Sequence, residues 1–572
     1  MKTISILGVV VGLLVSALPA AAVGAPVADL TALARYAPAN APIYAAIRTD
    51  DGFIEKLDAL LARINAKIPD ALPPDLSLAT ALDEADIRPW LGDVAAIIIP
   101  TPQAFMAAAS GRSDQFIMAV SLADRQAAEM FVSTALHGDF NTVQEQSGVT
   151  VYVPDPRYDD PVFAVYDDAL LIGEHRQTLA ELPKESLAGN ITFAATVELL
   201  PADDYDALVY LSVKNLLAPM RTLMQQSAAP GMEMFLDVVG AQVYGFALWD
   251  GRSLVMDVAQ TLGDTAALQA AGLWVAPNLK PVDPGFAAHV PADVPLVIQG
   301  TDLGAATRMQ FEMLRAFGDF VQKNPTLFAG PEASEEALQA FASFNLGYLV
   351  TAANLGFAGL TGLNLEKDVL DWMQGDWALF ARVLPDDALG FTLDIGFVTE
   401  TANAGKTESA LIALGDALEA YDLSHEYEVV GEAGVLVAPS LIRAFFPPKT
   451  PIDLLYHTDQ LDVLFGANAD VFAMGTRSAA TFSLAPTGGG LAETPAFRYA
   501  RTLLLDGANS FGYLAVAPLR AYLDDLSAST GGEGASLSAT QRILSLFESG
   551  SFSAVSTEGG DSIGRFVLTL AP

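Results

Sequence analysis

The sequence predicts an α+β protein built from two related domains, each with a mostly antiparallel sheet and helices packed on one face of it. Three observations predict this class. The chain has 572 residues, more than the roughly 250–300 that a single hydrophobic core usually supports. Short apolar runs with strand character alternate with helical patterns along the chain. Similar blocks also recur in the same order in the two halves, which indicates an internal duplication.

The first repeated element is a proline-containing turn ahead of an apolar strand. Residues 38–44 (PANAPIY) are similar to residues 291–297 (PADVPLV). Each copy is followed by a Thr-Asp pair, at 49–50 and at 301–302, and then by a helical pattern. A small polar side chain before such a pattern can accept the free N–H groups of the first helical turn. We therefore expect strand, N-cap and helix in both halves.

The later blocks extend the repeat to the end of each half. They pair residues 86–93 with 368–376, 116–122 with 391–397, 170–173 with 463–466, and 210–213 with 513–516. In residues 116–122 and 391–397, apolar and polar residues alternate, which predicts strands with one face towards solvent. Residues 162–165 and 170–172 flank a turn and predict a hairpin. The predicted domains are 23–276 and 286–572, joined by a Pro/Gly linker at 277–285.

The N-terminus has the pattern of an export signal. Lys2 precedes an apolar stretch over residues 4–18, and small residues follow up to Ala22. Residues 1–22 are therefore predicted to be a signal peptide cleaved after Ala22, which leaves Val23 first and places the protein in the periplasm, in the cell envelope or outside the cell. The alternative is an uncleaved anchor. No later stretch has the roughly 18 apolar residues of a spanning helix, so the mature chain is expected to have no membrane span.

Composition excludes several classes of partner and site. Thirty basic and 68 acidic residues give a formal net charge of −38, and such a surface repels nucleic acid. The chain contains no cysteine, which excludes disulfides and thiolate metal ligands. Hydrophobic residues make up 52% of the chain, enough to build folded cores rather than an acidic disordered tail.

No catalytic or cofactor motif is recognisable. The sequence contains no S-x-x-K nucleophile, no P-loop and no H-E-x-x-H pair. Glycines in residues 356–362 have helical spacing and indicate close helix packing or a helix end. The five histidines are scattered without metal-ligand spacing: His137, His175, His289, His425 and His457. We therefore predict no catalytic residues and no cofactor.

Clustered carboxylates supply the candidate calcium ligands of the sequence. Asp155, Asp159 and Asp160 share one predicted loop, and residues 203–206 hold three more aspartates. Ca²⁺ prefers six to eight oxygen ligands, but the EF-hand pattern is absent and acidic clusters are expected in so acidic a chain.

The Pro-Ala-Asn/Asp element, the Trp-Leu-Gly turn at residues 90–92 and the late hairpin together resemble an exported bacterial family known as domain of unknown function thirty-three fifty-two. The resemblance covers most of the mature chain. The second half departs from it at Val297, where the first has Tyr44, and by one extra residue between Trp372 and Gly375. Because the family has no established activity, the resemblance implies a fold and a compartment but no catalytic residues.

The sequence leaves three functions open. The first is a non-catalytic binding protein or envelope component, whose partner is an unknown protein or small molecule. The second is a hydrolase with an unrecognised carboxylate site, and the third is a carrier of an apolar ligand. A polar cleft with perturbed carboxylates would favour the hydrolase, and a large enclosed apolar pocket would favour the carrier.

Overall fold

A computed structural model describes most of the chain as two compact units. The described residues are 25–68, 77–109, 116–135, 140–146, 148–154, 161–174, 179–202, 204–221, 233–274, 280–329, 334–343, 345–384, 392–439, 441, 462–529, 535–557 and 559–572. The first unit comprises the chain to Ala266 together with Asp561–Arg565. The second comprises Ala267–Gly560 and Phe566–Pro572. The predicted domain boundaries at 277–285 stay a prediction.

The first unit is built on a long antiparallel sheet. Its strands are β1 (Ala25–Pro26), β2 (Ile43–Arg48), β3 (Leu91–Ile99), β4 (Ile117–Leu122), β5 (Phe140–Gln146), β6 (Val149–Pro154), β7 (Val162–Val165), β8 (Ala169–Gly173), β9 (Asp204–Tyr205), β10 (Ala207–Ser212), β11 (Val239–Trp249) and β12 (Ser253–Leu262). The order in the sheet is β12-β11-β10-β2-β3-β4-β8-β7-β6-β5. Strands β1 and β9 form a separate pair.

Helices cover both faces of this sheet. They are α1 (Val27–Leu30), α2 (Asp51–Lys67), α3 (Leu78–Glu84), α4 (Pro102–Ala109), α5 (Arg125–Ala135), α6 (Ile191–Glu198), α7 (Val213–Leu216) and α8 (Glu233–Asp237), with short 3-10 turns at Ala32–Tyr36 and Leu187–Gly189. One core contains Leu30, Tyr44 and Phe193, from α1, β2 and α6. The other contains Ile54 and Trp90, with α2, α3 and α5.

The strands of the second unit also pair antiparallel. Its strands are β13 (Leu296–Thr301), β14 (Asp376–Leu384), β15 (Thr392–Glu400), β16 (Glu426–Val430), β17 (Ala433–Ala438), β18 (Val463–Ala467), β19 (Val471–Thr476), β20 (Ser510–Ala515) and β21 (Phe547–Ser556). Their order is β21-β20-β13-β14-β15-β19-β18-β17-β16. The last strand, β22 (Ser562–Leu570), belongs to the first unit up to Arg565 and to the second from Phe566.

Helices of five to twenty-one residues accompany the strands of the second unit. They are α9 (Ala266–Ala270), α10 (Leu303–Lys323), α11 (Pro325–Ala329), α12 (Glu335–Ser343), α13 (Gly347–Thr361), α14 (Ala404–Ala420), α15 (Arg477–Leu484), α16 (Pro495–Arg501), α17 (Val516–Ser529) and α18 (Ala535–Leu544), with 3-10 turns at Pro284–His289 and Leu491–Glu493 and a π turn at Leu365–Val369. Across the described ranges, every helix is too short or too polar to cross a membrane.

These elements confirm the predicted α+β class and its antiparallel sheets. The predicted hairpin is present as β7 and β8, paired antiparallel with Val165 opposite Leu170. The expectation of a solvent-facing side was wrong for β4, because Ile117–Val120 are all buried. Met118 and Val120 pack in one core, and Ile117 and Ala119 in the other, so helices on both faces remove the wet side.

The predicted helix signals have mixed outcomes. Asp50 caps α2, since its carboxylate accepts a hydrogen bond from the N–H of Phe53 at 3.1 Å. Asp302 precedes α10 with a left-handed φ of 47° and makes no cap bond; its carboxylate accepts from Gly375 N at 2.9 Å instead. Gly362 ends α13 in the left-handed conformation, as the glycine-rich stretch predicts.

A buried ion pair stabilises the first unit. Arg565 binds both carboxylate oxygens of Asp257, at 2.7 and 2.8 Å, and Tyr205 donates its hydroxyl to the same carboxylate at 2.6 Å. The guanidinium also lies 4.5 Å from the ring centroid of Trp249. Asp257 is fully buried, so these partners replace the water that its charge loses on folding.

Candidate functional site

A pocket lined by described residues of the second unit is a candidate site. It has a volume of about 780 Å³, within the range usual for small-molecule sites, about 300–1,000 Å³. We call it the α15 pocket, because α15 forms one wall and strands β14 and β15 form the other. Its polar lining residues are Arg382, Thr392, Asp394, Asp462, Thr476, Arg477, Ser478, Thr481 and Thr487, and its apolar ones are Leu384, Leu393, Val430, Phe482 and Ala485.

Strand register places the polar base of the pocket. Arg382 of β14 lies directly opposite Asp394 of β15, and Leu384 lies opposite Thr392. Directly opposed residues on antiparallel strands share a face of the sheet, so each pair directs its side chains to the same side. The ion pair of Arg382 and Asp394 therefore lies beside the pair of Leu384 and Thr392 in the pocket.

Both oxygens of the Asp394 carboxylate accept hydrogen bonds. Its side chain is 2% exposed, and it accepts from the Nε of Arg382, from the hydroxyl of Thr476 and from the hydroxyl of Ser478 at 2.6 Å. Arg382 also donates through Nη1 to Asp293 at 2.8 Å. Burial tends to lower the pKa of Arg382, but the bonds to Asp394 and Asp293 outweigh burial and raise it. The guanidinium therefore stays charged.

A second guanidinium lies at the start of α15. Arg477 donates to Asp462 at 2.9 Å and to Glu428 at 2.9 Å. These hydrogen bonds raise the pKa of Arg477. Both arginines of the pocket thus bind two carboxylates each, and the local balance is two positive against four negative charges.

Several polar groups in the pocket remain available to a ligand. Among the described residues, nothing accepts a hydrogen bond from Nη2 of Arg382, whose Nε and Nη1 are both engaged. The hydroxyls of Thr392, Thr481 and Thr487 likewise bond to no other described side chain or backbone group. Oδ1 of Asp462 also has no partner among the described residues, since Arg477 donates to Oδ2. The pocket therefore offers one charged donor, one carboxylate oxygen and three hydroxyls that can each donate or accept.

A separate cluster of buried charges occupies the first unit. Arg48 and Asp206 are 7% and 2% exposed, and Arg48 Nε donates to Asp50 at 2.6 Å. In the described part of the chain, three atoms of the cluster have no hydrogen-bond partner: Arg48 Nη1, Lys56 Nζ and Asp206 Oδ1. Such unpartnered buried atoms carry a large desolvation cost.

This environment shifts the protonation of the cluster. Burial raises the pKa of Asp206 to about 8, although the N–H of Leu248 and the charges of Lys56 and Arg48 oppose the shift. Burial also lowers the pKa of Lys56, against the neighbouring carboxylates of Asp206 and Asp50. In the second unit, burial raises the pKa of Asp376 to about 6. Neither Asp206 nor Asp376 lines the α15 pocket.

The residues predicted as calcium ligands are not assembled into a site. Asp155, Asp159 and Asp160 lie outside the described residues, as does residue 203. Asp206, predicted to lie in a loop, is buried at the edge of β10. Within the described ranges, no three His, Asp or Glu residues are grouped to hold a metal ion.

Of the histidines, residues 137, 175 and 457 are outside the described part of the chain. His289 contacts the carbonyl of Ser483 through Nδ1 at 2.9 Å, and His425 lies 3.4 Å from the carbonyl of Leu423. Both contacts are to backbone, and neither residue lines the pocket.

Sequence reasoning missed the pocket residues, although one signal was present. Arg382 and Asp394 are the single charges near the centre of two otherwise apolar strand patterns, ALFARVL and FTLDIGF. A charge within an apolar strand needs a buried partner, which could have suggested that the two residues pair. Thr476 and Ser478 gave no comparable signal, since only the packing of α15 brings them to Asp394.

Comparison with known proteins gives one match. A family model described as "Protein of unknown function (DUF3352)" matches residues 2–438. No curated protein and no solved structure matches the chain.

Proposed function

The chain belongs to this family of proteins of unknown function, and from that premise we propose that it is a non-catalytic binding protein of the cell envelope. Its ligand is a small molecule held in the α15 pocket. The observation that carries the proposal is the pocket itself: about 780 Å³ with an apolar wall, next to the hydrogen-bonded pair of Arg382 and Asp394. Apolar walls with a few fixed polar groups are typical of ligand sites.

The pairing of its charged groups supports binding rather than catalysis. A general base or nucleophile needs a free lone pair that can reach a substrate. Both oxygens of Asp394 already accept hydrogen bonds, from Arg382, Thr476 and Ser478. The carboxylates with strongly raised pKa values, Asp206 and Asp376, lie elsewhere. A hydrolase would be favoured by the opposite arrangement, with a perturbed carboxylate in the pocket.

The open form of the pocket also bears on the carrier hypothesis. A carrier of a wholly apolar ligand is expected to enclose it in a purely apolar cavity, whereas the α15 pocket joins apolar surface to the Arg382–Asp394 pair and to hydroxyl groups. The proposed ligand is therefore amphiphilic, with an apolar part against Leu384, Leu393 and Phe482 and a polar part against the hydroxyls.

We also propose that the protein acts outside the cytoplasm. The support is the segment over residues 2–22, with one lysine, an apolar stretch and small residues before Val23. N-terminal sequencing of the exported protein tests this. Val23 as the first residue agrees with cleavage, and a retained Met1 would mean an anchored form.

We propose further that the two units arose by duplication. Strands β11-β10-β2-β3-β4-β8-β7-β6-β5 and β21-β20-β13-β14-β15-β19-β18-β17-β16 follow the same connection order. In both units a buried Trp donates its indole N–H to the carbonyl four residues earlier, Trp90 to Asp86 and Trp372 to Asp368. A crystal structure in which Trp90 and Trp372 occupied unrelated elements would refute the duplication.

Binding in the pocket can be tested with an uncharged solvatochromic dye, Nile red. We expect the mature wild-type protein to bind it with a blue shift. Thr481→Trp, which places a large ring in the pocket, should abolish this signal. Ser409→Trp, on the exposed side of α14, is the matched control and should bind as wild type. Equal dye binding by both variants would mean that the dye does not occupy the pocket, and the absence of binding by wild type would remove the proposal's support.

A further inference from the structure

We infer that the α15 pocket selects a cationic amphiphile, a molecule with an apolar body and a protonated primary amine as its head, and that Oδ1 of Asp462 accepts a hydrogen bond from this head. The inference rests on the proposed binding function and names its ligand class. It depends on three features of the pocket: a free carboxylate oxygen, an excess of carboxylates over guanidiniums, and hydroxyl groups beside an apolar wall.

The free carboxylate oxygen belongs to Asp462, which directly precedes β18. Asp462 lines the pocket, and its Oδ2 accepts from Nε of Arg477 at 2.9 Å. Among the described residues, no group donates to its Oδ1. The side chain is 33% exposed, so this oxygen is accessible to a ligand. An ammonium N–H can therefore donate to it in a charge-assisted hydrogen bond, which is stronger than a bond between neutral groups.

The excess of carboxylates favours a positive head over a negative one. Each guanidinium of the pocket binds two carboxylates, Arg382 those of Asp394 and Asp293, and Arg477 those of Asp462 and Glu428. Asp394 is 2% exposed, so solvent screens its charge much less than that of an exposed group. A cationic head would reduce this imbalance of two positive against four negative charges, whereas an anionic head would add a fifth negative charge.

The free Nη2 of Arg382 does not reverse this preference. The same guanidinium donates through Nε to Asp394 and through Nη1 to Asp293, so two negative charges lie next to its single positive charge. Nη2 is a donor and cannot accept from an ammonium group. The head is therefore expected at Asp462, the lining carboxylate with a free oxygen.

A primary amine suits the remaining polar groups of the pocket. When protonated it carries three N–H donors and no acceptor, as a lysine side chain does. Oδ1 of Asp462 can accept from one donor, and a threonine hydroxyl can accept from another. The available hydroxyls are those of Thr392, Thr481 and Thr487. The apolar surface for the rest of the molecule is formed by Leu384, Leu393 and Phe482.

The experiment compares three probes that have similar apolar chains and differ in the head: decylamine, decyl glucoside and decanoate. Each is titrated, below its micelle concentration, into the complex of wild-type protein with Nile red at about pH 7, where an alkyl amine is protonated. About 0.1 M NaCl is present to screen attraction by the distant acidic surface. We expect decylamine to displace the dye at a concentration about fivefold lower than decyl glucoside, as for a partly exposed ion pair, and decanoate to need the highest concentration.

A charge variant tests whether Asp462 holds the head. Asp462→Asn removes the negative charge and keeps the size of the side chain. The advantage of decylamine over decyl glucoside should then disappear, while decyl glucoside itself should displace the dye as it does from wild type, because its head carries no charge. Asp470→Asn is the matched control. It makes the same chemical change at an exposed residue beyond the other end of β18 and should leave the advantage at its wild-type value.

The outcomes separate the inference from the proposed function. If decyl glucoside or decanoate displaces the dye from wild type as well as decylamine does, the inference is wrong while the pocket remains a binding site. An advantage of decylamine that persists in Asp462→Asn, or is lost equally in Asp470→Asn, also overturns it. If Asp462→Asn does not bind the dye, the order of the three probes on wild type decides. If wild-type protein does not bind Nile red at all, the proposed function itself fails.

Discussion

The buried carboxyl group of Asp206 makes a direct prediction about stability and pH. Its ordinary pKa is 3.8, and burial raises it to about 8 in the folded protein. The folded chain therefore holds this proton more tightly than the unfolded chain does. The resulting contribution to stability is fully present below about pH 4 and is lost as the pH rises towards 8.

The magnitude follows from the size of the shift. Each pH unit between the two pKa values corresponds to about 1.4 kcal/mol, so roughly 4 kcal/mol is lost between pH 4 and pH 7 at this one site. Asp206→Asn keeps the shape of the side chain and cannot ionise. The free energy of unfolding of the variant, relative to wild type, should rise by about that amount over the same interval and become constant above about pH 8.

The assay must report on the first unit alone. Urea unfolding followed by pulsed hydrogen exchange, with mass spectrometry of peptides from β2 and β10, measures the stability of the strands that flank Asp206. Asp29→Asn, on the exposed surface of α1, is the control and should show no comparable slope. A difference that stays constant from pH 4 to pH 8 would refute the reasoning and would mean that Lys56 and Asp206 are charged together as an ion pair.

Four further predictions concern other charged groups. Asp376→Asn should raise the stability of the second unit relative to wild type as the pH increases, as Asp206→Asn does in the first unit. The gain in the free energy of unfolding should become constant above about pH 6, at no more than about 3 kcal/mol. Hydrogen exchange of β14 measures it. Arg565→Met should lower the free energy of unfolding of the first unit by about 3–5 kcal/mol in urea, because it leaves the buried Asp257 without its cation. The double variant with Asp257→Asn as well should recover most of this loss. The melting temperature should rise as the NaCl concentration goes from about 0.01 to 0.1 M, because the Debye length falls from about 30 to about 10 Å. Screening then weakens the repulsion expected among 68 acidic residues balanced by only 30 basic ones. A melting temperature that does not change with salt would contradict this. Additional stabilisation by Ca²⁺ over Mg²⁺ at equal ionic strength is expected only if Asp155, Asp159 and Asp160 bind it.

The class of fold was readable from the sequence because its signals are local. Apolar runs and the turn between them predicted β7 and β8, and the Thr-Asp pair predicted the cap of α2 by Asp50. The order of strands in each sheet was not readable, because it depends on pairing between distant segments. Strand β4 pairs with β8, and β13 pairs with β20, although more than two hundred residues separate the latter two. A local pattern of apolar and polar residues predicts a strand but does not indicate which distant strand pairs with it.

The candidate site was harder to predict for the same reason. An acidic sequence offers many clusters of aspartate, and neighbours in sequence drew attention to residues 155–160 and 203–206. The pocket instead depends on Arg382 and Asp394, twelve residues apart and brought together by strand register, and on Ser478, which α15 adds from a distant part of the chain. Asp206 shows the converse case: a residue that looked like a loop ligand is buried, and burial is a property of the packed unit rather than of its neighbours in sequence.

Strand register also indicates why ligand binding is proposed for the second unit and not for both. If the units are duplicates, Val297 corresponds to Tyr44, and their partners Phe380 and Ile98 correspond as well. Two residues further along the paired strands, Arg382 then corresponds to Pro100. Proline carries no charge and no N–H donor, so the first unit lacks the guanidinium that forms the base of the α15 pocket. Duplication would account for the elements that the two units share. A difference such as Arg382 in place of Pro100 would then allow a binding site to form in one unit and not in the other.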